Sequence, residues 1–141
     1  MHLMKKNKYY LIIFFILTQF FISSDVHSET LKIGNKNAKI KVKVFSSLTC
    51  PHCASFHKKI FEKLKIDYID TNKVKFEHHA FPLDLAALNA EKIVRCALTP
   101  EAKFKLLHKM YDEQKNWAVG SDIEKINEKL IQIGIDSQID Q

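Results

Sequence analysis

Only three cysteines occur in the 141 residues, and that scarcity sets aside one class of small exported protein at once. A disulfide-stapled scaffold uses more cysteines, spread more widely. Here the number is odd and two of the three, Cys50 and Cys53, are close neighbours. Glycine and proline are equally sparse, at three each, and there is no internal repeat or low-complexity tract. With 46% hydrophobic and 27% charged residues the composition is that of an ordinary globular protein, and the length allows one domain. The net charge of +6 is scattered and forms no basic stripe with interleaved aromatics. No nucleic-acid partner is expected, and the lysines read as a solvated surface.

Long apolar runs are also lacking, with one exception near the start. Lys5, Lys6 and Lys8 precede a nearly unbroken apolar run from Leu11 to Ile22, and Val26-His27-Ser28 follows a short polar stretch. A basic opening, an apolar run of roughly 12 residues and a small-x-small exit read as a secretory signal cut after Ser28. That leaves residues 29–141 as the exported domain, with the periplasm as its expected location. A membrane span wants about 20 apolar residues, so an uncleaved anchor fits the run less well. No cysteine lies near the exit to carry a lipid.

Residues 29–37 are short and polar, with Gly34-Asn35 as a turn. Strict alternation begins at Lys39: Ile40, Val42 and Val44 share one side, Lys39, Lys41 and Lys43 the other, and Phe45 extends the pattern. Period and β-branching predict a strand. Beyond the cysteines, Cys53, Phe56, His57, Ile60, Phe61 and Leu64 recur at helical spacing, and Pro51 suits a first helical turn. Residues 74–80 alternate again, so strand, helix and strand form a parallel βαβ unit. Three more helices follow. One spans residues 85–98 with Leu85, Leu88, Ile93 and Ala97 inward. One opens at Thr99-Pro100 with Phe104, Leu107 and Met110 or Tyr111 inward. The last opens on the capping box Ser121-Asp122-Ile123-Glu124 and stops at Gly134.

The dithiol therefore sits where a strand hands over to a helix. Only a thiolate attacks a disulfide, and an ordinary thiol is mostly protonated at neutral pH. A helix N-terminus favours negative charge at Cys50, and a protonated His52 adds to it. Cys53, three residues on, can attack a mixed disulfide on Cys50 and release the partner. The position after Cys53 is Ala54, which excludes the histidine that a c-type haem attachment needs. A zinc site would need further ligands, such as Cys96 with His57 or the His78-His79 pair, at spacings that match no standard finger. No metal or cofactor is expected; the thiols carry the chemistry.

The stretch 38–57, with Phe45-Ser46, Cys50-Pro51-His52-Cys53 and the aromatic after it, resembles the start of a DsbA-type thiol:disulfide oxidoreductase of the thioredoxin superfamily. Phe81-Pro82-Leu83, Cys96-Ala97 and the segment from Phe104 to Trp117 resemble the helical insertion of that family. The resemblance covers nearly all of residues 29–141. It implies an α/β fold, a thioredoxin-like βαβ unit with a helical subdomain inserted from about residue 85. It assigns Cys50 as exposed nucleophile, Cys53 as its buried partner, and His52 with Pro51 as tuning residues. Exported proteins with cysteines are the implied substrates, and a membrane or soluble redox partner recycles the pair. Two departures stand out. Val44 occupies a position where many relatives carry an acid that assists proton transfer at the resolving thiol. The closing β-hairpin and final helix of the family, with its cis proline, have no counterpart: Pro51, Pro82 and Pro100 are the only prolines. The first long strand is then expected to form an open edge.

Other reactive residues read as structural. Cys96 lies in an apolar-periodic helix and is expected to be packed as a small hydrophobe. His78 and His79 should point to opposite faces of their strand, one packed and one solvated. His57 reads as a packing residue, Phe104 and Trp117 as core or rim, and the charges of residues 122–129 as a solvated helix face.

Overall fold

The computed structural model describes residues 30–137; the signal segment expected over residues 1–28 lies outside them. Strands β1 (Leu31–Ile33), β2 (Ile40–Ser46) and β3 (Val74–Ala80) form one sheet in the order β1-β3-β2. β3 lies in the centre, antiparallel to β1 and parallel to β2, with Val42 opposite Phe76 and Val44 opposite His78. The β2–β3 crossover is α1, a helical rod over residues 51–69. Helices α2 (Leu85–Cys96), α3 (Pro100–Asp112), α4 (Gln114–Trp117) and α5 (Ile123–Asp136) follow. The βαβ unit and inserted helical subdomain expected from the sequence are both present.

β2 and β3 form where alternation places them, yet their burial differs. Val74, Phe76 and His78 on central β3 are buried, whereas Val42 and Val44 are half-covered and Ile40 is exposed. Among the described residues β2 has a neighbour on one side only. A strand with one neighbour presents unpaired backbone groups along its other side. β1 is a correction. Three residues are too few for periodicity to register, and the polar reading of residues 29–37 hid a strand whose Leu31 is buried. The turn after β1 does need its glycine. Gly34 has φ +91°, and a Cβ there would stand 2.5 Å from the Val74 carbonyl oxygen.

The rod α1 departs from a regular helix in a way that re-aims its side chains. It begins as an α-helix (Pro51–Phe56), widens to a π-helical turn (His57–Phe61), and repeats this with Glu62–Leu64 and Lys65–Ile69. Each wide turn inserts an extra residue, so the inward stripe slips. Ala54, His57, Phe61 and Ile69 are buried, and Ile60, expected inside, is exposed.

Capping explains where the other helices begin. Asp84 Oδ1 accepts from Ala87 N, Thr99 Oγ1 from Ala102 N, and Asp122 Oδ1 from Lys125 N. The cap of α5 is therefore Asp122 rather than Ser121, and Gly134 lies buried within the helix, which runs on to Asp136. On α2 the inward stripe is not leucine. Ala86, Ala87, Ala90, Glu91 and Val94 are buried, while Leu85 and Leu88 are exposed. Cys96 is exposed too, its Sγ near the Lys92 carbonyl, contrary to the expected packing role. The stripe on α3 is as expected, with Phe104, Leu107, Met110 and Tyr111 buried. The core forms where Phe61, Phe76 and Phe104 meet, joined by Leu130 and Ile133 of α5 and by Trp117. Helical residue burial of this kind, not propensity, holds such helices in place.

Candidate functional site: the Cys50–Cys53 pair

The loop from Ser47 to Cys50 leaves β2 and enters α1, and four polar side chains hold it. Ser47 Oγ lies 3.1 Å from Thr49 Oγ1 and accepts from Leu83 N at 3.4 Å. Thr49 Oγ1 donates to Asp84 Oδ2 at 2.7 Å, so the aspartate that caps α2 also ties down this loop. Buried Gln114, at the start of α4, donates through Nε2 to the carbonyls of Leu48 (2.7 Å) and Cys50 (3.0 Å). Sequence reasoning missed all four. Asp84 carried a signal, as a helix-capping residue before an apolar segment. Gln114 carried none, since its partners are 66 and 64 residues away.

Cys50 is the N-cap of α1. Its Sγ accepts from Cys53 N at 3.4 Å, and Pro51 occupies the first helical position. Both cysteines are half-buried free thiols. Their environments push them apart. Burial works against ionising Cys50, but the Cys53 thiol and the backbone N–H groups of Cys53 and His52 outweigh it and hold the Cys50 thiol below its ordinary value. Burial raises the Cys53 thiol, and its hydrogen bond to Cys50 and the Cys50 charge raise it further, with the Ser47 backbone N–H opposing in part. The His52 side chain is exposed, so its backbone N–H is what the fold aims at Cys50.

Beneath the pair lies a buried polar chain. Tyr111 OH donates to Ser46 Oγ at 3.0 Å; Ser46 Oγ lies 3.2 Å from His78 Nδ1, and His78 Nε2 lies 2.9 Å from Glu91 Oε1. Arg95 pairs with the other Glu91 oxygen. Tyr111, Ser46, His78 and Glu91 are all buried. The two histidines of β3 do face opposite ways: His79 is half-buried on the outer face, its ring stacked 4.7 Å from Phe45. Burial, helped by the Cys53 charge, pushes the Tyr111 phenol well above its usual range, although the Ser46 bond opposes this.

His57 is fully buried between these features. Its ring stacks 4.2 Å from Tyr111, with Phe61 at 5.1 Å and His108 at 5.4 Å, and neither ring nitrogen has a hydrogen-bond partner. Burial first, then His108 and His78, push it down to about 3. Among the described residues no group of three or more His, Cys, Asp or Glu is arranged to hold a metal ion. A cavity of about 730 Å³ lies elsewhere, between Gly34, Phe61, Lys65, Phe104 and His108, and touches no residue of the dithiol loop. At the loop itself the neighbouring surface is apolar: Phe81, Leu83, Leu85 and Leu88 are exposed, and Phe81 N donates to the Ser46 carbonyl.

Comparison with known proteins agrees with this geometry. A family model described as thioredoxin matches residues 27–140. A Rickettsia bellii protein named as a candidate protein-disulfide oxidoreductase is 33% identical over 116 residues, 82% of this chain and 44% of the relative. The crystal structure of Wolbachia pipientis alpha-DsbA1 superposes with a TM-score of 0.71 at 28% identity, over 82% of this chain and 57% of that one. Chlamydia trachomatis DsbA shares the fold, with a TM-score of 0.59 at 20% identity, over 79% of this chain and 68% of that one. The chain belongs to the thioredoxin family and is a DsbA-type member of that superfamily. It spans less than half the length of the Rickettsia bellii relative.

Proposed function

We propose that this protein catalyses thiol–disulfide exchange on exported proteins, with Cys50 as nucleophile and Cys53 as resolving thiol, and that it promotes disulfide formation. The observation that carries this reading is a dithiol at one helix N-terminus, with Cys50 as the N-cap and its Sγ accepting from Cys53 N at 3.4 Å; the opposite displacement of the two thiols agrees with it. A stabilised Cys50 thiolate favours the reduced pair, which makes the oxidised pair a ready disulfide donor. In the oxidised protein a substrate thiolate attacks Cys50 Sγ. The Cys50–Cys53 bond breaks, a Cys50–substrate disulfide forms, and the electron pair leaves on Cys53. A second substrate thiolate then attacks the substrate sulfur bonded to Cys50; the substrate disulfide forms, the mixed disulfide breaks, and Cys50 leaves as thiolate. The reduced pair needs a membrane or soluble redox partner to reoxidise it.

Pro51 starts the helix without wasting an N–H, and His52 supplies a backbone N–H to Cys50 and, when protonated, nearby positive charge. The exposed Phe81, Leu83, Leu85 and Leu88 beside the loop suit unfolded clients, which expose apolar segments. The basic start and short apolar run of residues 1–28 support export by a cleaved signal and a periplasmic domain over residues 29–141. No helix among the described residues is long and apolar enough to cross a membrane.

The test is oxidative refolding of a reduced, cysteine-containing client by the oxidised chain. Stoichiometric disulfide transfer is expected, with its loss in Cys50→Ser; transfer no faster than with glutathione disulfide refutes the activity. A thermal melt of the whole chain, run beside it, establishes that the domain with its open β2 edge is folded during the assay.

A further inference from the structure

Exchange asks one thing of the backbone: Cys50 must present its sulfur to a client and to Cys53 in turn, from a loop that stays in place while its bonds change. That loop is a tight turn, closed by Cys50 N donating to the Ser47 carbonyl at 3.1 Å. Thr49 Oγ1 on Asp84 and Leu83 N on Ser47 Oγ tie it to the segment before α2. A further tie comes from the far end of the helical subdomain. Resting on the exchange reading above, we propose that Gln114 is a positioning residue for the reaction: its side-chain amide holds the carbonyls of Leu48 and Cys50, so that reduced Cys50 stays set against the Cys53 N–H.

Three observations carry the proposal. The first is placement. Gln114 follows Phe104, Leu107 and Tyr111 at the spacing of three or four residues that keeps side chains on one helix face, and all four are buried. An amide therefore stands where the pattern calls for an apolar side chain, and burying an amide is costly unless its hydrogen bonds are made. The second is geometry. Nε2 carries two N–H donors, and it lies 2.7 Å from the Leu48 carbonyl oxygen and 3.0 Å from that of Cys50. One planar group bridging acceptors two residues apart fixes their relative position, as a single hydrogen bond does not. The third is what this backbone bears. The Cys50 carbonyl also accepts from Ala54 N at 3.1 Å, the first bond of α1, and the Cys50 Sγ accepts from Cys53 N at 3.4 Å. Gln114 thus grips the residue that caps the helix and carries the nucleophilic sulfur.

The two redox forms use this grip unequally. In the oxidised pair the Cys50–Cys53 bond closes a small ring and keeps Cys50 against the helix by covalent means. When a client takes the disulfide, that bond breaks, the electron pair stays on the protein's sulfurs, and Cys50 is held by non-covalent contacts alone. The carbonyls of Leu48 and Cys50 bring partial negative charge to the loop that bears the thiolate, and the Gln114 N–H groups facing them offset it. Preset geometry and offset charge both favour the reduced pair over the disulfide. No bond to Gln114 forms or breaks in any step; it acts through the backbone of Cys50.

The test uses the whole chain in a Cys96→Ser background, equilibrated with reduced and oxidised glutathione and quenched by alkylation, so that dithiol and disulfide are counted by mass. Gln114→Met keeps the side-chain length and removes both donors. The equilibrium should shift roughly threefold to tenfold towards the disulfide, as loss of about one hydrogen bond from the reduced form alone produces. The Cys50 thiolate absorbance should rise at correspondingly higher pH. A side chain that only supported the fold would weaken both forms alike; an unmoved equilibrium therefore overturns the proposal and leaves the exchange reading standing. A parent pair that never equilibrates with glutathione overturns the exchange reading and the proposal with it. If Gln114→Met does not fold, hydrogen exchange in the isotope-labelled parent decides. The Gln114 side-chain N–H groups should exchange with water more slowly in the reduced chain than in the oxidised one, and equal rates overturn the proposal.

Discussion

Lowering the pH should unfold this domain earlier than its carboxylates alone require, because of His57. The ring is 0% exposed, has no partner for either nitrogen and is held down to about 3 from an ordinary 6.5. The fold therefore accepts only the neutral imidazole, whereas the unfolded chain takes up a proton near the ordinary value. The stability gained from keeping His57 neutral is complete above pH 6.5, declines as pH falls below it, and is exhausted at about 3. Each pH unit inside that window costs about 1.4 kcal/mol, so the loss between about pH 8 and about pH 5 is roughly 2 kcal/mol. That is a large share of the ~5–15 kcal/mol by which domains are stable. His57→Phe tests the cause directly. Phenylalanine can occupy the slot against Tyr111 and Phe61 and has no nitrogens to leave unpaired. Urea unfolding of reduced protein, followed by the fluorescence of buried Trp117, gives the stability at each pH. The variant should match or exceed the parent at about pH 8 and exceed it by about 2 kcal/mol more at about pH 5. Carboxylates and the other histidines are common to both proteins and cancel in the difference. Parallel stability curves for parent and variant would refute the reasoning.

Gln114→Ala removes the donors to the carbonyls of Leu48 and Cys50 and should cost about 1–3 kcal/mol in urea unfolding, because it strands the buried Leu48 carbonyl, whereas that of Cys50 keeps Ala54 N. Gly34→Ala forces a Cβ against the Val74 carbonyl at a positive φ; a melting temperature equal to that of the parent would contradict the close approach of β1 to β3. Ultraviolet thiolate absorbance of the reduced chain should rise in separate steps, the first below the ordinary cysteine range and missing in Cys50→Ser. A single rise at the ordinary value would remove the physical basis for assigning Cys50 as nucleophile.

The features legible in the sequence are those set by neighbours along the chain. Alternation placed β2 and β3 because successive strand residues face opposite ways, whatever lies across the sheet. The dithiol, Pro51 and the strand before them placed the cysteine pair at a strand–helix joint, which the structure has, with Cys50 as the N-cap of α1. Caps located the starts of α3 and α5 to within a residue or two for the same reason.

Tertiary structure decided what distant residues do to one another. β1 is a strand only because β3 lies beside it, and Ile60 faces outward because packing selected wide turns in α1. Glu91 is buried on a helix whose leucines are not, which makes sense only once His78 and Arg95 meet it. The support of the site follows the same rule: Gln114 reaches Leu48 across 66 residues, Tyr111 reaches Ser46 across 65, and Ser46 meets His78 across 32. The sequence by itself determined that a dithiol stands at the head of a helix, because that depends on a handful of adjacent backbone groups. How far each thiol is buried, and which distant side chains hold the loop that carries them, was decided by the fold, because burial and long-range hydrogen bonds exist only after the chain has closed.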